Sequence, residues 1–216
     1  MIAGIRLKIC GLTSLVDAEA ADAVGADYLG FILYFKSPRY VPLAQFVAMK
    51  ARLPDRPKVA VMVTPTPAEV AAALAAGFDF FQIHFPMTLA REALALGTMV
   101  TRERLWLAPK LAPGEEIARS LLAAGATWLL DTYRADGFGG TGQTGDWVKF
   151  RRYREAHPQL TWVLAGGLTP ENVGAALKET GAKFIDVTSG VESAPGVKDP
   201  AKLTALRAAL EQPRAG

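Results

Sequence analysis

Residues 23–31 read Ala23-Val24-Gly25-Ala26-Asp27-Tyr28-Leu29-Gly30-Phe31, a helical end followed by a glycine and then by a mostly apolar strand. The same order recurs at three later places, with the glycine at positions 77, 125 and 181. Glycine suits a helix C-terminal cap because it adopts a left-handed backbone conformation without steric cost. The intervals of 52, 48 and 56 residues between these glycines each have room for two strand-helix units. The repeat therefore predicts about eight units in the chain.

Eight apolar segments supply the strands of these units. Most are continuous apolar runs, which are typical of strands buried on both faces of a parallel sheet. The predicted strands are residues 7–10, 28–33, 57–63, 80–84, 105–109, 128–131, 161–165 and 184–188. Helix starts are predicted at Ser14, at Thr66-Pro67 and at Thr169-Pro170, where a capping residue stands at the beginning of an Ala- and Leu-rich stretch.

This alternation predicts an α/β fold, a single (β/α)8 TIM barrel with a parallel eight-stranded sheet. The barrel domain is expected to span residues 1–211, followed by a frayed C-terminal tail at 212–216. The rival fold is an open doubly wound sheet, which requires a G-x-G-x-x-G turn after the first strand. The chain has Cys10-Gly11-Leu12-Thr13 at that point, so the barrel is favoured.

The composition limits the classes of function. The net charge is +3, and Lys and Arg are scattered apart from a local run at Arg151-Arg152, so a nucleic-acid footprint is not expected. No apolar run reaches membrane-spanning length, and no basic-then-apolar signal pattern opens the chain. One cysteine fits a reducing compartment and, with two separated histidines, argues against a zinc site. We expect a cytoplasmic protein that binds neither nucleic acid nor membrane.

Catalytic groups of such barrels collect at the C-terminal ends of the strands. Cys10 ends the first predicted strand. Base rates favour a buried packing role for a lone cysteine, whereas its position favours a reactive thiol. Asp131 ends the sixth strand, where a buried carboxyl group can serve as a general acid near neutral pH. The alternative for Asp131 is a turn cap or an ion pair.

The loops predicted after strands six, seven and eight are rich in glycine. They read Gly139-Gly140-Thr141-Gly142, Ala165-Gly166-Gly167 and Thr188-Ser189-Gly190. Backbone N–H groups of such loops can converge on an anion, and the loops after the seventh and eighth strands of these barrels commonly hold phosphate. The candidates for phosphate binding are Gly142, Gly166, Gly167, Ser189 and Gly190.

Three further residues are candidates for the site. Arg39, in the loop after the second strand, is either a bidentate donor to a carboxylate or a solvated loop residue. His84 ends the fourth strand, where a satisfied, partly buried histidine is the alternative to a catalytic one. Asp186 lies within the eighth strand, and structural pairing and function are equally open for it.

Six motifs, spread over nearly the whole chain, stand out together. They are Lys8-Ile9-Cys10-Gly11-Leu12-Thr13, Lys36-Ser37-Pro38-Arg39-Tyr40-Val41, Leu130-Asp131-Thr132, Gly139-Gly140-Thr141-Gly142, Leu164-Ala165-Gly166-Gly167-Leu168-Thr169-Pro170-Glu171-Asn172-Val173 and Asp186-Val187-Thr188-Ser189-Gly190-Val191-Glu192. Taken together, these motifs resemble those of the phosphoribosylanthranilate isomerase family of tryptophan biosynthesis. Barrel isomerases of histidine biosynthesis carry an acid where this chain has Cys10.

The resemblance implies an isomerase that converts N-(5-phosphoribosyl)anthranilate to 1-(2-carboxyphenylamino)-1-deoxyribulose 5-phosphate by an Amadori rearrangement. It implies that Cys10 is the general base, Asp131 the general acid and Arg39 the partner of the anthranilate carboxylate. The glycine loops would hold the ribose phosphate. It further implies a small phosphosugar substrate, no metal, no cofactor, and a monomer or homodimer.

The chain departs from the family pattern after the fourth strand. The family usually has Leu-His-Gly there, whereas this chain has Ile83-His84-Phe85-Pro86. Two alternatives remain open at the level of sequence. One is another phosphosugar aldose-ketose barrel isomerase, of histidine biosynthesis or bifunctional, and the other is a barrel that binds a phosphate ligand without catalysis.

Overall fold

The computed structural model describes residues 1–112, 114–131 and 146–212. Eight parallel strands close a barrel in chain order, which confirms the predicted (β/α)8 fold. Lys8 in the first strand lies opposite Tyr28 in the second and Asp186 in the eighth, so the register closes the ring. The strands are β1 Arg6–Ile9, β2 Tyr28–Ile32, β3 Lys58–Val63, β4 Phe80–Pro86, β5 Leu105–Lys110, β6 Thr127–Leu130, β7 Thr161–Leu164 and β8 Phe184–Val187.

Helices connect these strands around the outside of the barrel. They are α1 Leu15–Ala23, α2 Leu43–Lys50, α3 Pro67–Ala76, α4 Ala90–Ala95, α5 Gly97–Val100, α6 Arg119–Ala124, α7 Trp147–Ala156, α8 Val173–Thr180 and α9 Pro200–Glu211. Short 3₁₀ turns lie at Met87–Leu89 and Ser189–Val191. Between β8 and α9 the chain forms a small antiparallel hairpin, β9 Glu192–Ala194 with β10 Val197–Lys198, which no sequence pattern predicted.

Local capping explains where the helices begin. The predicted starts at Ser14 and Thr66 are confirmed, since each side chain accepts a hydrogen bond from a backbone N–H of the first turn. The predicted cap at Thr169 is wrong by about one turn, because the cap of α8 is Asn172, three residues later. Asn172 accepts a hydrogen bond from the Thr169 N–H and donates one to the Gly167 carbonyl, which holds this segment as a turn.

Three of the four repeat glycines have the predicted left-handed backbone, with φ of 86° at Gly25, 88° at Gly77 and 62° at Gly181. Gly125 does not, since its φ is −94°. A Cβ atom there would lie 2.6 Å from the indole nitrogen of Trp128 and 2.7 Å from a leucine methyl carbon. Close packing against that indole therefore accounts for the glycine at position 125.

Aromatic side chains fill the N-terminal end of the barrel. The ring of Tyr28 lies 5.1 Å from that of Trp106 and 5.2 Å from that of Phe184, and Phe80 packs 5.3 Å from Trp106. All four residues lie at or next to the first residue of their strands. This aromatic layer closes one end of the barrel.

The described chain ends shortly after its last helix. The last helix ends at Glu211, and residues 213–216 of the predicted tail lie outside the described residues. Within the described ranges, no helix combines the length and the apolar character needed to cross a membrane.

Candidate active site

The predicted site residues meet at the C-terminal end of the barrel. Cys10 directly follows β1, Arg39 lies in the loop after β2, and Asp131 directly follows β6. His84 and Asp186 lie near the ends of β4 and β8. All five line one cavity, although the chain separates the first and last of them by most of its length.

A second depression adjoins this cavity and shares Asp131 and Asp186 with it. Its remaining wall comes from the loops after β7 and β8, including the predicted phosphate-site residues Gly166, Gly167 and Ser189. The backbone of both glycines is left-handed, with φ of 89° and 62°. These loops can therefore present backbone N–H groups to an anion in a way that residues with a Cβ atom rarely can.

Gly190 lies where the loop after β8 contacts the loop after β7, at the wall of this depression. A Cβ atom at position 190 would lie 1.9 Å from the Leu168 carbonyl oxygen, so the backbones are in direct contact and only glycine fits. Gly142, the remaining candidate for phosphate binding, lies outside the described residues.

Cys10 is only 3% exposed, and the charged side chain of Lys8 lies near its thiol. Burial raises the pKa of the Cys10 thiol above its ordinary value, and the positive charge of Lys8 offsets only part of that effect. Lys8 is fully buried inside the barrel and donates a hydrogen bond to Asp186 Oδ2 at 2.8 Å. Burial by itself lowers the pKa of Lys8, but the negative charges of Asp186 and of an ionised Cys10 outweigh burial and raise it. Lys8 is therefore a cation in the folded protein.

Lys8 is a site residue that sequence reasoning missed. The available signal was a lysine inside an apolar, buried strand, two residues before Cys10 and thus on the same face of the strand. Its partner Asp186 is 7% exposed, and among the described residues Oδ1 of that carboxylate has no hydrogen-bond partner. Because Asp186 lines the cavity, this oxygen can accept a hydrogen bond from a ligand.

Arg39 is held by an acid that the sequence did not identify. Its Nε donates to both carboxylate oxygens of Glu192, at 2.9 Å and 3.1 Å, and Nη2 donates to Oε2 at 2.6 Å. Lys198 in the hairpin donates to the same carboxylate at 2.9 Å. Burial by itself raises the pKa of Glu192, but the hydrogen bond from Arg39 and the charge of Lys198 outweigh it and lower that pKa. The acid is thus ionised between two cations.

His84 contributes a neutral imidazole to the cavity. Gln82 donates its amide N–H to His84 Nε2 at 2.8 Å, which places the ring proton on Nδ1. Burial, together with the nearby charge of Lys8, lowers the pKa of His84 to about 3. His84 is therefore suited to hydrogen bonding and poorly suited to proton transfer at neutral pH. Within the described ranges, no group of three or more His, Cys, Asp or Glu side chains could hold a metal ion.

This arrangement can perform acid-base chemistry on an elongated anionic molecule. A thiol and a carboxyl group from opposite parts of the barrel, Cys10 and Asp131, line the same cavity. Arg39 offers a cation at one side, and the loops at Gly166 and Ser189 can present backbone N–H groups to an anion at another. Two separated anion sites would fix a substrate with a negative group at each end.

Comparison with known proteins supports one assignment. Residues 7–208 match the family model of N-(5'-phosphoribosyl)anthranilate isomerase. The enzyme of that name from Synechococcus elongatus is 38% identical over 216 residues, covering 96% of both chains.

Solved structures agree with this match. The monomers of the dimeric phosphoribosylanthranilate isomerase from Thermotoga maritima have a TM-score of 0.76 at 30% identity, covering 95% of this chain and 98% of theirs. A phosphoribosylanthranilate isomerase in complex with reduced 1-(o-carboxyphenylamino)-1-deoxyribulose 5-phosphate has a TM-score of 0.70 at 28% identity, with the same coverage. On this evidence, the chain belongs to the N-(5'-phosphoribosyl)anthranilate isomerase family.

Proposed function

We propose that the cavity lined by Cys10 and Asp131 is the active site for the reaction that gives the family its name. That reaction is the Amadori rearrangement of N-(5-phosphoribosyl)anthranilate to 1-(2-carboxyphenylamino)-1-deoxyribulose 5-phosphate, a step of tryptophan biosynthesis. The observation that supports this most strongly is that a thiol and a carboxyl group, 121 positions apart, line one cavity at the catalytic end of a barrel.

Asp131 starts the reaction as the general acid. It donates its proton to the ring oxygen of the ribose, the C1–O bond breaks, and the nitrogen lone pair forms a C1=N iminium. Asp131 is left as a carboxylate. Its position directly after β6, at the wall shared by both cavities, supports this role because the ring lies between the two ends of the substrate.

Cys10 completes the rearrangement as the general base. Its thiolate takes the proton from C2, and the C–H electron pair forms the C1=C2 bond of an enolamine while the iminium nitrogen becomes neutral. Tautomerisation then places a proton on C1 and removes the proton from the C2 hydroxyl, which gives the ketone. The steps transfer protons and open the sugar ring, and the electron pairs they need come from bonds of the substrate itself. They therefore require neither a redox cofactor nor a covalent bond to the enzyme.

The two ends of the substrate bind at separate places. Arg39 is the partner of the anthranilate carboxylate, because Glu192 fixes its guanidinium at the wall of the Cys10 cavity. The ribose phosphate lies in the cradle formed by Gly166, Gly167, Ser189 and Gly190. Gly142 is assigned to the same phosphate site from the sequence alone.

The compartment is proposed from the free thiol of the chain, and the oligomeric state from one relative. We propose a cytoplasmic enzyme, since its only cysteine is a free thiol that a reducing compartment would preserve. We propose a monomer or a homodimer, because the relative from Thermotoga maritima is described as dimeric and has also been obtained as monomers.

A fluorescence assay tests the function directly by following the loss of phosphoribosylanthranilate after addition of the purified protein. We expect turnover of this substrate and none of the corresponding aminoaldose of histidine biosynthesis. Turnover of the histidine-pathway substrate alone would contradict the proposal. Tight binding of a reduced product analogue without any turnover would show instead a barrel that binds phosphate ligands and does not catalyse.

A further inference from the structure

Lys8 is a cation buried inside the barrel behind the active-site cavity. Its side chain is 0% exposed and it does not line the cavity that Cys10 shares with Asp131. The ammonium group is anchored to Asp186 Oδ2 at 2.8 Å. Burying a lysine ammonium costs free energy unless an opposite charge or a hydrogen-bond acceptor lies beside it, because an isolated buried cation loses its proton.

The Lys8 side chain runs alongside Cys10. Both residues belong to the same strand segment and point to the same face, into the barrel. A Cβ atom placed on Gly30 of β2 would lie 2.9 Å from both the Cys10 sulfur and the Lys8 Cε, so the two side chains meet at this glycine. The charge of the Lys8 ammonium therefore acts on the Cys10 sulfur at close range.

Other charges act on Cys10 more weakly or in the opposite sense. Lys198 and Arg39 favour an ionised thiol, but both are paired with Glu192, which offsets part of their charge. Asp186 opposes ionisation of the thiol.

Three more titratable groups line the same cavity: Asp131 directly after β6, His84 in β4 and Tyr34 in the loop after β2. His84 is neutral because its Nε2 accepts the hydrogen bond from Gln82. Among the cations around Cys10, Lys8 has the largest effect on the thiol.

We propose that Lys8 is a positioning residue whose buried ammonium stabilises the thiolate form in which the Cys10 sulfur accepts the substrate proton, while Asp186 keeps Lys8 itself charged. The inference rests on the proposed function, in which Cys10 is the base. During turnover the C2 proton moves to sulfur and leaves again from sulfur, and Lys8 neither gains nor loses a proton. Its ion pair with Asp186 therefore persists throughout the cycle and keeps the side chain in place.

The ionisation of Cys10 can be measured directly because it is the only cysteine in the chain. Thiolate absorbance in the far ultraviolet is titrated against pH in the native chain, with the Cys10→Ser variant subtracted as the background. We expect the midpoint to move by about 1–3 pH units to higher pH in Lys8→Met, the size of effect that an opposite charge at close range has. The acid limb of kcat/KM against pH is expected to move in the same direction.

A second variant removes the risk that Lys8→Met fails to fold around an unpaired Asp186. Lys8→Met/Asp186→Asn removes both charges, so no buried ion is left alone. We expect its midpoint also to lie above that of the native chain. The matched control is Lys58→Met at the start of β3, a half-buried lysine at the far end of the barrel, for which the midpoint should not move.

An unchanged midpoint in the folded double variant would overturn the inference about Lys8, even if the native chain turns over substrate. A shifted midpoint in a protein that never turns over phosphoribosylanthranilate would overturn the proposed function and leave the link between Lys8 and the thiolate standing. Circular dichroism of each variant establishes that the comparison is made on folded protein.

Discussion

Arg39 and Glu192 are 153 residues apart in the chain and form a bidentate ion pair, with Nη2 and Oε2 separated by 2.6 Å. The pair ties the loop after β2 to the hairpin after β8, and Lys198 adds a second cation to the same carboxylate. Two cations around one acid leave a net positive charge at the cavity wall. Among the described residues, Arg39 Nη1 has no hydrogen-bond partner, and Arg39 lines the cavity that contains Cys10.

Replacing Arg39 by lysine is expected to weaken substrate binding. A lysine ammonium is a single compact donor and cannot serve Glu192 and a substrate carboxylate with the geometry of a guanidinium. We expect KM to rise about 10–100-fold with kcat little changed, since a hydrogen bond to a charged group contributes about 1.5–3 kcal/mol. Steady-state kinetics check this. Arg56→Lys, at a surface pair with Asp22, is the control, and an unchanged KM in Arg39→Lys would contradict the assignment.

Replacing either proton-transfer group is expected to abolish most turnover. Cys10→Ser and Asp131→Asn preserve size and shape, but the serine hydroxyl is a far weaker base and the asparagine amide is no acid. Each variant should lose about 10²–10⁴ in kcat, the usual contribution of a positioned acid or base. The fluorescence assay measures the loss, and Asp55→Asn in an exposed loop serves as the control. Activity close to the native value in both variants is the outcome that excludes these roles.

The contact between the loops after β7 and β8 can be tested with one methyl group. In Gly190→Ala the added Cβ atom would lie 1.9 Å from the Leu168 carbonyl oxygen, so the two loops must separate and the phosphate cradle changes shape. We expect the dissociation constant for inorganic phosphate to rise by about tenfold or more, as for one lost hydrogen bond to a charged group.

The matched control is Gly174→Ala in α8, where a Cβ atom would meet nothing within 4 Å. Its phosphate affinity should be unchanged and its stability slightly raised by the better helix propensity of alanine. Calorimetric titration with phosphate compares the two variants. Equal affinity in both would show that the cradle does not hold the phosphate.

His84 is expected to make the protein less stable as the pH falls. Burial lowers its pKa to about 3 in the folded state, below the ordinary value of 6.5. Between these values the unfolded chain binds a proton that the folded chain does not, so stability is lost as pH drops below 6.5 and the loss is complete near pH 3. From pH 7 to pH 5 the native chain should lose about 2 kcal/mol of unfolding free energy.

Urea denaturation at the two pH values measures this difference. His84→Gln should lose most of the pH dependence in this range because glutamine does not titrate. His157→Gln, which replaces the other histidine of the chain, should keep it. A native chain equally stable at both pH values would show that His84 is not held neutral by the fold.

The sequence by itself determined the barrel fold and several of the residues that lie at the C-terminal ends of its strands. Apolar strand runs, capping residues at Ser14 and Thr66, and the spacing of the repeat are local signals, and local signals predict elements well. Since parallel strands carry their C-terminal ends to one rim, residues that end strands, such as Cys10 and Asp131, could be expected to meet there. The sequence failed where contacts override local preference, as at Gly125 and at the start of α8.

Only the tertiary structure decided which charges surround these groups. Lys8 and Asp186 are 178 residues apart and meet because β1 pairs with β8 when the barrel closes. Glu192 reaches Arg39 only through the hairpin that follows β8. No local pattern matches the two members of either pair to each other, because their contact depends on closure of the whole ring. The charges around the Cys10 thiol are therefore a property of the closed barrel, whereas the position of that thiol could be predicted from the strand that carries it.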